Sequence, residues 1–287
     1  MPYRSVFRPG LFAGETIVVT GGGSGIGRCT AHELASLGAR VVLTGRRPEK
    51  LAAVAQEIAE DGGQADTEAF DIREEAAVAA GIAAIVARHG RIDGLVNNAG
   101  GQFPAPLEKI SQKGWETVVR TNLTGGFLVA REVYLRSMKN DGGGAIVNII
   151  ADMWRSMVLM GHSGAARAGM MSLTETMAIE WAPAGVRANA VAPGWIASSG
   201  FDTYAPEMQA HLRSLPRHIP VQRLGREAEC AAAICFLLSP AAAFVNGSCI
   251  RVDGGVPNAP VERPLRAHDK SQPFLGFHRE QLPKALG

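Results

Sequence analysis

Two kinds of hydrophobic pattern alternate along the chain. Short runs of consecutive apolar, mostly β-branched residues stand out at 16–20 (TIVVT), 40–44 (RVVLT) and 145–150 (AIVNII). Runs without an apolar/polar alternation predict strands buried on both faces. Weaker members of the same set lie at 65–70, 92–98, 187–193 and 248–252. Between them, apolar residues recur at helical spacing over 26–37, 48–60, 74–89, 115–139, 163–181 and 227–238. Pro48 sits where the first turn of its helix begins, a position that tolerates its missing N–H. Strands separated by helices argue for an α/β fold, a parallel sheet covered by helices on both faces.

No internal repeat and no linker divides the chain, so a single domain is expected over 14–255. An N-terminal arm (1–13) and a C-terminal extension (256–287) flank it. The extension loses all periodicity and is rich in proline and charge. Two readings of it stand: a frayed tail, or a segment whose Phe274, Leu275 and Phe277 dock on something such as a neighbouring subunit.

Composition removes several classes of function. Apolar residues make up 46% of the 287, enough for a sizeable core. The 29 basic and 27 acidic residues are interspersed, which leaves no footprint for nucleic acid or an anionic membrane. No apolar run is long enough to span a bilayer. The first residues lack the apolar core of a secretory signal, and the last ones are not a peroxisomal tripeptide. Cys29, Cys230, Cys235 and Cys249 form no metal-ligand spacing and fall among apolar residues, as buried free thiols do. A reducing cytoplasm and no metal are expected.

Chemistry enters at TGGGSGIG (20–27), which joins the first strand to the first helix. Gly21 permits the tight turn, Gly25 lets the backbone approach a pyrophosphate, and Gly27 lets helix and strand pack closely. Ser24 and Ile26 belong to the same cradle, where N–H groups and the helix dipole face the anion. After the second strand an NAD enzyme needs an acid for the ribose hydroxyls, yet here Gly45 is followed by Arg46 and Arg47. Guanidinium groups suit a 2′-phosphate, so NADP is favoured over NAD.

Beyond that loop, Asp71-Ile72, NNAG (97–100), TNLTG with Asn122, IVNI (146–149), PGWIAS (193–198) and VDGG (252–255) appear in order. Over 14–255 the chain thereby resembles the short-chain dehydrogenase/reductase family. The resemblance implies a Rossmann-type, doubly wound, seven-stranded sheet and a homotetramer. It puts Asp71 and Ile72 at the adenine, and Asn97, Asn98, Ala99 and Gly100 along the cofactor. Pro193, Gly194, Ile196 and Ser198 fall near the nicotinamide amide.

The family's usual catalytic set is Asn, Ser, Tyr and Lys. Asn122 matches the first, and reads equally as a buried amide satisfying a helix kink, which the family's Asn also does. The serine expected after IVNI is absent, since Ile150, Ala151 and Asp152 stand there. Counting back from Glu180 puts Ser163 at the tyrosine position and Arg167 at the lysine position. NNAGGQF, TNLTGGF and HSGAARAG (162–169) are similar to peroxisomal trans-2-enoyl-CoA reductases, 2,4-dienoyl-CoA reductases and bacterial citronellol-catabolism dehydrogenases. Such branches reduce a carbon–carbon double bond conjugated to a thioester, where the developing enolate needs hydrogen-bond donors rather than an acid at an alkoxide.

Arg167 holds the nicotinamide ribose in this reading but relays no proton. Asn122 and Ser163 organise cofactor and oxyanion. Asp152, in the segment where dienoyl reductases carry an acidic tyrosine, is the preferred proton donor, with desolvation by Met153 and Trp154 raising its pKa. A capping or solvated Asp152 is the alternative, and His162 reads more readily as structural than as an acid. Met153, Trp154, Met157, Leu159, Met160 and Trp195 are expected to line an apolar pocket. Residues 199–220, with Tyr204, occupy the family's substrate-lid position, where Tyr204 is expected to be exposed, with a pocket-facing Tyr204 as the alternative. The expectation is an NADP(H)-dependent reductase of an enoyl-CoA or related branched or terpenoid-like small molecule. An alcohol or carbonyl dehydrogenase acting on a terpenoid alcohol, and a non-catalytic NADP-binding scaffold or sensor, remain as alternatives.

Overall fold

The computed structural model describes residues 2–259 and 265–286; residues 1, 260–264 and 287 of the arm and extension lie outside the described residues. Seven parallel strands form one sheet in the order β3-β2-β1-β4-β5-β6-β7. They are β1 (Thr16–Thr20), β2 (Arg40–Gly45), β3 (Gln64–Ala69), β4 (Gly94–Asn97), β5 (Gly144–Ile149), β6 (Val186–Pro193) and β7 (Cys249–Val252). The helices are α1 (Gly25–Ser36), α2 (Pro48–Glu60), α3 (Glu75–His89), α4 (Gln112–Val119), α5 (Gly125–Val133), α6 (Gly161–Glu180), α7 (Pro206–Ser214) and α8 (Glu227–Leu238).

Burial explains why the strand sequences do not alternate. On one face Ile17, Val19, Val41 and Leu43 meet Leu34 of α1, Val54 of α2 and Ile234 of α8. On the other, Val18, Val42 and Leu95 meet Ile82 of α3, Val129 of α5 and Met177 of α6. Successive residues of one strand thus enter opposite cores, and both must be apolar.

The strand order reverses between β1 and β4, which opens a crevice at their carboxyl ends. Thr20 Oγ1 accepts the N–H groups of Asn98 and Ala99, each at 2.9 Å, and Asn98 Nδ2 donates to Thr20 O at 2.9 Å. These bonds fix the floor of the crevice.

Three elements differ from the sequence reading. The helix expected over 115–139 starts earlier, at Gln112, and widens to π geometry at Arg120–Thr124 and Tyr134–Met138. An additional helix, α7, lies in the lid. Of the two readings of the extension, docking holds for Phe277, and the surface it docks on belongs to its own chain. Phe277 is buried against Tyr3, Cys29, Ala228 and Ala231, while Leu275 stays exposed. Small residues on α1 and α8 leave the groove that the ring fills, and burying it is worth ~2–3 kcal/mol. Charged ties follow it, Arg279 to Asp61 and Glu60 at 3.0 Å and Glu280 to Arg226 at 3.2 Å. Further on, Ala285 N donates to Asp202 at 2.9 Å, and Leu286 packs beside Phe201, Leu212 and Leu215 of the lid.

Candidate active site

A cleft of about 550 Å³ follows the carboxyl edge of the sheet from the end of β2 to the end of β6. At its cofactor end the wall is backbone. Gly21 and Gly25 have φ of +67° and +59°, which only glycine adopts freely. A Cβ on Gly27 would sit 2.5 Å from both Gly21 O and Asn98 Nδ2, so helix and strand approach only because it is absent. Ser24 is the N-cap of α1 but makes no side-chain cap bond, and the first turn carries no acid. The first N–H groups therefore remain open to an anion.

Past the loop the wall becomes basic. Arg46, Arg47, Lys50 and Arg73 all line the cleft. Asp71 also lines it, gripped by Arg73 through Nη2–Oδ2 and Nε–Oδ1 contacts of 2.6 and 3.0 Å. That hydrogen bonding holds the Asp71 carboxyl below the usual carboxylate range, despite some desolvation. Open N–H groups for a pyrophosphate and the cations beside Gly45 fit a dinucleotide carrying a 2′-phosphate. Ile72, Asn98, Ala99 and Gly100 continue the wall, and Pro193, Gly194 and Ser198 close it opposite.

Not every residue expected at the cofactor reaches this surface. The Asn97 side chain points into the fold, where it donates to Gly126 O at 2.8 Å and Asn148 Oδ1 at 3.2 Å. Ile196 is buried behind the wall, bridged to Gly225. Gly27 acts through packing rather than as lining.

At the reacting end the wall is made of side chains. Arg167, from α6, is half-buried in the cleft wall and donates from Nη1 to Ile149 O at 2.6 Å. Its other terminal nitrogen lies where a Cβ on Gly100 would be. Burial pulls the guanidinium down to about 10, still protonated at neutral pH. Asn122 sits in the first π segment, 1% exposed, and clamps the loop after β4: Gly101 N donates to its Oδ1, and its Nδ2 donates to Gly101 O, both at 2.9 Å.

Ser163, in the first turn of α6, is fully buried. Its hydroxyl receives Asn122 Nδ2 at 3.5 Å and donates to Gln102 Oε1 at 2.6 Å. His162 is also fully buried, its Nδ1 accepting Ser163 N–H at 2.9 Å and its ring edge-on to Phe103 at 4.5 Å. Its Nε2 is buried with no hydrogen-bond partner among the described residues.

Asp152 stands aside from this cluster. The cleft wall includes Ile149, Ile150 and Ala151 and stops short of it. The charges facing it belong to Asp253 and Arg251 at the end of β7. Burial, reinforced by Asp253, raises its carboxyl above the usual value. The expected apolar lining is also displaced. Trp154 turns outward under the Arg251 guanidinium, 5.5 Å from its ring centre, Met160 is buried, and Trp195 faces a neighbouring cavity. Tyr204, expected to be exposed, lines the cleft.

Lys50, Arg73 and Gln102 were missed. The basic pair follows from its place just past strands β2 and β3. Gln102 had one available signal, its adjacency to NNAG.

A doubly wound sheet, a glycine cradle at its switch point and a polar cluster at the far end of the same cleft define a dinucleotide-dependent oxidoreductase. The chain belongs to the short-chain dehydrogenase/reductase family: the family model described as enoyl-(acyl carrier protein) reductase matches residues 21–257. The chain is similar to the probable 2,4-dienoyl-CoA reductase of Bacillus subtilis (strain 168), 37% identical over 243 residues, 84% of this chain and 96% of that one. Among solved structures, the citronellol catabolism dehydrogenase AtuB of Pseudomonas aeruginosa PAO1 is 61% identical. Its TM-score is 0.80, over 88% of this chain and 99% of that one. A gluconate 5-dehydrogenase of Burkholderia cenocepacia J2315, solved with NADP and tartrate, is 36% identical with a TM-score of 0.81, over 88% of this chain and 98% of that one.

Proposed function

We propose that this oxidoreductase uses NADPH to reduce a carbon–carbon double bond conjugated to a thioester, in an acyl-CoA of branched or terpenoid type. One observation carries the reading. Ser163 and Arg167 stand at the positions of the family's tyrosine and lysine. The buried Ser163 hydroxyl is held by Asn122, Arg167 is tied to Ile149 O, and neither supplies a readily ionised acid beside the cleft. Such a set stabilises an enolate oxygen but does not protonate an alkoxide.

Bound NADPH supplies the hydride. Arg46 and Arg47 hold its 2′-phosphate, and Arg167 places positive charge beside the nicotinamide ribose. Asn122 fixes the loop that forms the floor beneath the substrate. Asp152, outside the cleft wall and facing Asp253 and Arg251, is not assigned the proton. A homotetramer in the cytoplasm belongs to the same reading. Exposed Trp115, Phe127 and Leu135 along α4, α5 and the second π segment supply an apolar surface for assembly, and light scattering measures the mass.

The 61% identity to a citronellol catabolism dehydrogenase favours a second reading, dehydrogenation of a terpenoid alcohol or reduction of its aldehyde. NADPH oxidation is followed with crotonyl-CoA, a 2,4-dienoyl-CoA and citronellal. Turnover of the thioesters supports the first reading, and turnover of the aldehyde alone replaces it with the second. A donor at Asp152 would make kcat/KM fall as pH rises through its raised pKa, and Asp152→Asn would remove that limb and most of the rate. Its place outside the cleft wall predicts instead an Asp152→Asn rate close to wild type.

A further inference from the structure

We propose that Gln102 is the residue that hydrogen-bonds the substrate's carbonyl oxygen, and that Ser163 acts through it as a positioning residue. The inference rests on the proposed function only for the identity of that oxygen.

The direction of each hydrogen bond in the cluster is fixed from one end. Asn122 Oδ1 is taken by the Gly101 N–H, so its Nδ2 must be the atom that faces Ser163. A hydroxyl that receives a proton from Asn122 has its own single proton left to give. It gives it to Gln102, at 2.6 Å, so the Gln102 carboxamide turns its oxygen to Ser163 and its NH₂ away. Among the described residues nothing accepts from that NH₂. Gln102 is exposed and lines the cleft, whereas Ser163 is fully buried and its hydroxyl is already engaged. The substrate therefore meets the amide, not the hydroxyl.

An amide already donated to at its oxygen is a better donor at its nitrogen, because hydrogen bonds in a chain polarise one another. It is also held in place before the substrate arrives, as a donor to developing negative charge must be. It transfers no proton, which matches a step where hydride goes to carbon. The neighbours fit as well. Phe103, next to Gln102, is exposed, as are Leu107 and Leu159, and the Ala105 N–Leu159 O bond of 2.8 Å ties their two loops together. A carbonyl flanked by hydrocarbon would place its oxygen on Gln102 and its chain on this rim.

The test compares wild type, Gln102→Leu, Ser163→Ala and the double variant, each first shown to melt normally and to bind NADPH with wild-type affinity. Gln102→Leu is expected to lower kcat by about 100-fold, as loss of an oxyanion donor does. Ser163→Ala should cost less, about 10-fold. The double variant should be no slower than Gln102→Leu alone, because the serine works through the amide. A Gln102→Leu rate within about threefold of wild type, a larger loss in Ser163→Ala, or losses that multiply would overturn the proposal.

The same set is run on crotonyl-CoA and on citronellal. If only the aldehyde turns over, the thioester reading fails, while the variants still test whether Gln102 receives the carbonyl. If neither turns over, the Kd of each compound for the NADPH complex, read by nucleotide fluorescence, decides. Weaker binding in Gln102→Leu supports the proposal, and unchanged binding or none in the wild type overturns it.

Discussion

The two ends of the cleft are built from different material. At the glycine cradle of the cofactor end the contacts come from backbone and from missing Cβ atoms: open N–H groups at α1 and Gly27 against Gly21 O, with basic side chains only beyond it. At the reacting end they come from side chains in series: Asn122, Ser163 and Gln102, with Arg167 threaded past Gly100. The first kind has no spare room and reads one ligand shape. The second can be retuned one side chain at a time, so one fold hosts many substrates on one cofactor.

That contrast ranks the effects of substitution. The largest is expected from Gly27→Ala, where one methyl group separates α1 from the floor. NADPH affinity should fall by at least ~100-fold, measured by fluorescence titration, because the cradle itself is displaced. Retained affinity would show that the cofactor end is as tolerant as the other.

Next comes Arg46→Ser with Arg47→Ser. Each lost charge-assisted bond is worth ~1.5–3 kcal/mol, so NADPH should weaken by ~10–100-fold or more while NADH changes little. Parallel titrations with the two nucleotides report the difference, and equal losses would remove the pair from 2′-phosphate recognition.

The smallest effect on either end should come from Glu33→Gln, on the face of α1 turned away from the cleft. Glu33 is fully buried beneath Tyr3 and Ser5, at 3.1 and 2.8 Å, and burial raises its carboxyl to about 7. An acid raised in this way stabilises the fold while it keeps its proton. That contribution is complete below the unfolded value of 4.5 and is lost as pH climbs through about 7. The wild-type melting temperature should fall over this window relative to the variant's, with NADPH affinity and kcat unchanged. A parallel pair of melting curves would mean Glu33 is ionised in the fold.

The same contrast decides what could be read in the sequence. The cofactor end was legible because its constraints are local: glycines at fixed spacing between a strand and a helix. The strands were legible because two covered faces demand unbroken apolar runs. Gln102 was not, since its role comes from a serine far along the chain and its own loop has no period. The π turn at Arg120–Thr124 was hidden for the same reason, its Asn122 being turned toward a distant loop. Asp152 shows the opposite failure. Its position at the end of a strand suggested the cleft, yet its side chain faces β7. The extension resisted because Phe274 and Phe277 form no repeat, and the groove that takes Phe277 consists of alanines and a cysteine two helices apart.

The extension sets a limit on motion that neither end of the cleft sets for itself. Its charges are fixed to α2 and to the residue capping α8, and a few residues later its backbone is fixed to the lid at Asp202. From Glu280 to Ala285, at ~3.5 Å per residue, the slack cannot exceed about 17 Å. Segment 199–220 is therefore leashed to the back of the cofactor half by a few residues of chain. Lengthening that leash would change its freedom without touching a single residue of the cleft.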